Sequence, residues 1–399
     1  MLSIGKKSTE ALTVMLAENQ KEIFCGGLFM SARWFAASQA GKEFFNLIIL
    51  PDKDEAEYCC SDLYSLVEGD KVFFLPDSGK QVERSNYKAS LQVQRTSALQ
   101  KIFNCSKGDF IVTYPDAVQE LVPHKSKISS PVITFEKGDE VNHDKINEIL
   151  YNAGFERVDF VSSPGQYTLR GGIVDIFSYS YNYPYRISFF GDEIEKINSF
   201  NPDTQLSIEK FEKVGIYGDI SEENQNGDLS SIFEILPEDT VIWIDSPDLL
   251  EKYEFYGKLT SFRKIFISAP VGKTPDICYS ITPQPVFNKN FDFLTGDIRT
   301  RIEKNYKVYI FCSKKSQADR LLSIFEDSSF AAKPEMVSEK SIHNGFIDEQ
   351  SRICVYSDHE IFDRFHRVAL RRTVEKSEQL TLNDLNAFNI GDYVVHIDY

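Results

Sequence analysis

Apolar positions along the first third of the chain follow two rhythms. Helical spacing predicts helices over residues 8–20, 31–40, 54–67, 90–103 and 115–122, and short continuous apolar runs predict strands over 45–50, 71–75 and 110–114. Helices alternating with such strands make a parallel α/β sheet. The middle third differs, because 129–137, 157–162, 167–177 and 185–200 read as strands with few helices between them, which predicts a separate α+β module. Strand-like 240–245 and 264–269 flank a helical 247–256 and resume the first rhythm, so the middle module reads as an insertion into the first domain. A last α/β unit follows, with strands at 307–312 and 353–356 and a helix at 316–325 whose Leu321, Leu322 and Phe325 share one face. From 364 to 382 the chain turns polar and basic, as a tether would, and its final GDYVVHIDY begins a new strand pattern.

Charge narrows the classes. The 399 residues carry 44 Lys+Arg against 60 Asp+Glu, a net of −16. That average field repels a nucleic-acid duplex and disfavours a stand-alone, non-specific DNA binder. No apolar run approaches the roughly 18 residues of a membrane span, and the N-terminus lacks a signal-peptide pattern, so a cytoplasmic chain without a membrane partner is expected. Seven cysteines without C-x-x-C spacing are expected to be reduced and mostly buried. Six scattered histidines give no zinc spacing, and no metal site is expected.

Candidate chemistry is sparse. A phosphate loop needs two spaced glycines and a Lys-Ser/Thr pair. Residues 26–33, Gly-Gly-Leu-Phe-Met-Ser-Ala-Arg, supply a glycine start and a following helix but neither the second glycine nor the lysine. A tight turn into a core helix is the expectation there. Asp358-His359-Glu360 follows a strand and is expected to cap the next turn rather than to bind a metal nucleotide. No catalytic frame is recognisable, so no catalytic residue is assigned.

The informative stretch is SPGQYTLRGGIVDIF with the following PYRISFFGDE. Alternate side chains of a strand share a face, which sets Tyr185, Ile187 and Phe189 apart from Arg186, Ser188 and Phe190. In the preceding strand Tyr167 and Leu169 form the apolar set, leaving Thr168 and Arg170 opposite. If the strands pair, Arg170, Arg186 and Phe190 make one exposed patch. Its charge balance between residues 164 and 190 is +1, from Arg170 and Arg186 against Asp175. Arginine beside exposed aromatic surface is the composition of protein-binding hot spots. The bland alternative is a salt-bridged arginine pair with Phe190 covered by a loop. Gly171 and Gly172 are expected to mark a bulge that re-aims Arg170. The basic run Arg364, Arg367, Arg371, Arg372 and Lys376, with Phe365 and His366 interleaved, reads as a solvated linker helix, with DNA contact as the alternative.

These middle motifs resemble UvrB and, more closely, the N-terminal UvrB-like part of the bacterial transcription-repair coupling factor (Mfd) family. VYSDHEIFDR resembles the segment closing that family's third domain, and LNDLNAFNIGDYVVHID resembles the entry into its RNA-polymerase-interacting domain. The resemblance implies a degenerate helicase-like α/β parallel-sheet domain (1–125 and 218–272), interrupted by an inserted α+β UvrB-like domain (126–217). A further small α/β domain (273–363), a linker (364–385) and the start of the polymerase-interacting domain (386–399) would follow. It implies an adaptor that recruits the repair protein UvrA to RNA polymerase stalled at damage, with Arg170, Arg186 and Phe190 as the UvrA-binding residues. It also implies a DNA-translocating region further along the full-length protein that uses ATP and Mg, with no cofactor in the present chain. UvrB's long aromatic DNA-gripping hairpin looks absent, since 77–87 runs promptly into a helix. A UvrB-like DNA-dependent ATPase or helicase module is the alternative.

Overall fold

A computed structural model of the chain describes residues 2–79, 85–123, 128, 130–219, 229–327 and 334–364. They fall into two compact units: one holds the residues up to Pro131 and those from Tyr217 onward, and the other is Val132–Ile216.

The first unit contains a seven-stranded, all-parallel sheet in the order Ile277–Cys278, Glu22–Gly26, Arg263–Phe266, Val241–Ile244, Asn46–Ile49, Phe110–Thr113 and Val72–Phe74. Three of its strands come from beyond residue 216, and two of these separate Glu22–Gly26 from Asn46–Ile49. The sheet therefore closes only when chain on both sides of the middle segment comes together. Every residue of Asn46–Ile49, Phe110–Thr113 and Val241–Ile244 is buried, as a sheet covered on both faces requires. Trp34, Phe35, Cys59 and Leu63 pack on one face, and Leu99, Ile102, Val118 and Leu259 on the other. Buried Asn46 is satisfied: its amide donates to the Gly41 and Phe44 carbonyls and its oxygen accepts from the Trp243 indole.

A second, mixed five-stranded sheet in the same unit runs Ile281–Pro283, Phe346–Asp348, Ile353–Ser357, Lys307–Cys312 and Glu335–Ser338. Helices Phe291–Glu303 and Lys315–Asp327 cover it, burying Leu321 and Phe325 while Leu322 stays half-buried.

The second unit is a six-stranded sheet ordered Ser207–Phe211, Glu193–Phe200, Tyr185–Phe190, Ile173–Ile176, Gln166–Arg170 and Glu156–Arg157, antiparallel except for the last pair. Tyr167, Val174, Ile187 and Phe189 on one face form a core with Ile146 and Leu150 of helix His143–Asn152 and with Phe135 and Val214 of the strand pair Ile133–Glu136 and Lys213–Ile216.

Several local expectations need correction. The strand expected over 157–162 ends at Arg157, because the Gln166 side-chain oxygen takes the Ser162 and Ser163 N–H groups and curls the chain away from the sheet. The helix expected over 247–256 stops at Leu250 and gives way to a 3-10 segment, Glu254–Ser261. Gly171 and Gly172 form no bulge. They are the two-residue turn of a hairpin in which Arg170 pairs with Ile173, with Gly171 at φ +55° and a Cβ on Gly172 falling 3.0 Å from the Phe189 carbonyl oxygen. Five cysteines are buried, two are exposed, and none is disulfide-bonded. Among the described residues no helix is long and apolar enough to cross a membrane.

Candidate protein interface

The glycine loop after strand Glu22–Gly26 serves the fold. Gly27 sits at φ +69°, and a Cβ there would lie 2.1 Å from the Tyr279 carbonyl oxygen, so the residue is glycine to let residues 275–279 pass. Arg33, which stands where a phosphate loop would place its cation, donates to Asp245 at 2.6 Å, Glu55 at 3.2 Å and the Met30 carbonyl at 3.0 Å. The Ser31 hydroxyl accepts the Asn344 N–H at 2.8 Å and donates to Asp62, which also accepts the His343 N–H at 2.6 Å. Full burial pushes the Asp62 carboxyl up to about 7 against these hydrogen bonds. Ser341 and His343 are thus bonded onto helix Lys53–Leu66, through Ser65 and Asp62, and Asn344 onto Ser31 at the start of the helix that follows the loop.

Asp358 bonds its own turn through the His359 N–H and also reaches a neighbouring loop. Its carboxylate accepts the Ser313 N–H and hydroxyl, both at 3.2 Å, and Glu360 accepts the Gly345 N–H and the Ser357 hydroxyl. Burial raises both carboxyls. The triplet therefore fastens neighbouring loops of the five-stranded sheet.

The middle sheet places the three candidate residues on one face. Thr168, Asp175 and Arg186 lie opposite one another across three strands, and Arg170, Ile173 and Ser188 form the next row. Phe190, at the end of its strand beside the Gly191-Asp192 turn, is 81% exposed. The arginines are ion-paired, as the bland alternative required, but among the described residues no loop covers the ring.

Asp175 organises this face. It is 1% exposed, accepts Arg186 Nε at 2.8 Å and Nη2 at 2.9 Å, and stands 3.6 Å from Arg170 Nη2. Arg186 also donates to the Gln205 oxygen at 2.7 Å and lies over the Phe200 ring at 4.2 Å. Its Asp175 bonds hold its proton more firmly than usual. Arg170 is placed differently: its side chain is 46% exposed against 25% for Arg186, and its guanidinium lies over the Phe160 ring at 4.7 Å. Sequence reasoning singled out neither Phe160 nor Phe200. The parity rule sees residues within paired strands, whereas Phe160 reaches Arg170 from a loop. Asp175 entered it only as a unit of charge, although its place two residues before Phe177 in an otherwise apolar strand was the available signal.

The basic run after Arg364 and the chain's last segment lie outside the described residues. Arg364 itself donates its N–H to the His359 carbonyl and stacks on Phe362 at 4.8 Å.

Comparison with known proteins agrees with this geometry. Residues 133–220 match the family model described as the UvrB interaction domain, which is the segment holding the arginine face. Over 96% of its length the chain is 22% identical to a transcription-repair-coupling factor of Bacillus subtilis (strain 168), and over 88% it is 20% identical to that of Staphylococcus aureus (strain Mu50 / ATCC 700699). It covers 42% and 39% of those proteins, so it spans about two fifths of the length of the curated relatives it matches. The chain is thus similar to the transcription-repair-coupling factors over nearly all of its length, and its middle matches the model of the UvrB interaction domain.

Proposed function

We propose that this chain is the adaptor region of a transcription-repair coupling factor, which binds UvrA through Arg170, Arg186 and Phe190 and so recruits excision repair to RNA polymerase stalled at damaged DNA. The observation that carries this is a large ring, 81% exposed, beside two arginines on one face of the matched domain. A soluble domain gains nothing for its own stability from such a ring, whereas an interface gains an anchor. Polymerase contact and ATP-driven movement on DNA belong, in this reading, to parts of the full-length protein beyond the described residues.

The first domain serves here as a helicase-like scaffold that has lost its nucleotide site. Support comes from Arg33, neutralised by Asp245 and Glu55, and from Ser31, bonded to Asn344 and Asp62. Both groups would have to be released before a phosphate could use them. The competing ATPase reading would need both of them free.

Titration of the chain with UvrA tests the proposal. Phe190→Ala should weaken binding by about 1 to 3 kcal/mol, and Arg186→Ala by at least as much. Unchanged affinity in both variants refutes the assignment.

A further inference from the structure

Beside the arginine face an open groove of about 760 Å³ is lined by Arg157, Val158, Asp159, Phe160, Thr168, Leu169 and Arg170. Its rim carries two arginines and one aspartate, a net of +1 on a chain of net −16. Phe160 is 67% exposed and its ring backs the Arg170 guanidinium. Among the described residues the Arg170 guanidinium makes no hydrogen bond, and the carboxylate nearest it is already held at both oxygens by Arg186. The guanidinium is therefore positioned by a ring on one side while its N–H edge stays available.

We infer that the docking face extends into this groove, with Phe160 as a fourth binding residue and Arg170 as the cation that receives a carboxylate of UvrA. This rests on the UvrA reading above. A planar guanidinium stacked on an aromatic face keeps its in-plane donors free for a bidentate carboxylate, and the stack fixes their direction before the partner arrives. An aliphatic side chain at 160 would supply apolar area without the attraction of the ring for the cation. Arg186, bonded to Asp175, Gln205 and the Phe200 face, sets the position of Asp175 and through it the lean of Arg170.

The test is titration of UvrA against the whole chain carrying Phe160→Ala, Phe160→Leu or Phe160→Tyr, with Phe190→Ala alongside and thermal unfolding recorded for each. Because Phe160 is exposed, all three variants should unfold as wild type does. Ala and Leu should weaken UvrA binding about three- to tenfold, and Tyr should stay within about twofold of wild type. On an Arg170→Ala background Phe160→Ala should cost less than about twofold more, since the ring then has no cation to hold. Wild-type affinity in the Ala and Leu variants, with Phe190→Ala still weakened, overturns the groove and leaves the UvrA reading standing. Equal retention by Leu and Tyr overturns the ring's role toward the cation. Loss of self-association rather than of UvrA binding would make the occupant a second copy of the chain and overturn the inference. Failure of the wild-type chain to bind UvrA removes both readings together.

Discussion

Buried beneath the arginine face, Asp175 accepts two hydrogen bonds from Arg186 while Arg170 waits 3.6 Å away with half of its side chain in water. The two arginines therefore differ in what their removal leaves behind. Arg186→Ala strands a carboxylate that is 1% exposed, and breaking a pair of that kind costs about 2–4 kcal/mol of stability even with Arg170 near enough to shift toward it. Arg170→Ala should cost less than about 1 kcal/mol, as for a half-exposed ion pair. Urea unfolding of the two variants checks the contrast, and equal losses would mean that Asp175 is not tied chiefly to Arg186. Strand parity alone brought Arg170, Arg186 and Phe190 to one face, because period two depends only on local backbone geometry. Phe160 was not legible in the same way. Its meeting with Arg170 depends on Gln166 capturing two N–H groups of the 158–163 loop, which no periodicity records.

Strands with uninterrupted apolar runs were legible, and Asn46–Ile49, Val72–Phe74, Phe110–Thr113 and Val241–Ile244 lie where the pattern puts them. Glu22–Gly26 escaped notice because its glycine end reads as a turn, when the glycines actually admit the neighbouring segment 275–279. Helix His143–Asn152 was hidden by having only Ile146 and Leu150 as buried apolar positions; the Asn142 side chain, accepting the Asp144 and Lys145 N–H groups, is what starts it. Between elements, Asp62 makes a pH-dependent join. Its carboxyl is raised from 3.8 to about 7 by burial, so the folded state binds a proton that the unfolded state has released across that window. The sign follows from linkage: the contribution to stability is full below about pH 4 and is lost as pH rises through about 7. The groups around it are Ser31, Arg33, Glu55 and the His343 N–H. Asp62→Asn should flatten the stability profile between about pH 4 and 7 in thermal unfolding, and an unchanged slope would assign the titration to another group.

Across the whole molecule, the acidic balance and the pairing of Arg33 with Asp245 and Glu55 point the same way. With a net of −16 the chain should not bind duplex DNA tightly at physiological salt. If its first domain has lost nucleotide binding, about 1 mM ATP with Mg²⁺ should leave its melting temperature within about 1 °C. A site of about 10 μM affinity would add about 2.7 kcal/mol and raise the midpoint by several degrees. The insertion was legible because the strand rhythm changes near the start of the middle module and returns after it. The central strand order was not, since which strands of the two flanking segments become neighbours is decided by packing that spans some 200 residues of chain.

Calorimetric titration of the chain with UvrA, wild type against Phe190→Ala, reaches the central claim most directly. The account predicts saturable one-site binding, weakened about fivefold or more when the ring is removed, with no change in thermal unfolding because the ring is 81% exposed. Identical binding by the two proteins, or none by either, would contradict it.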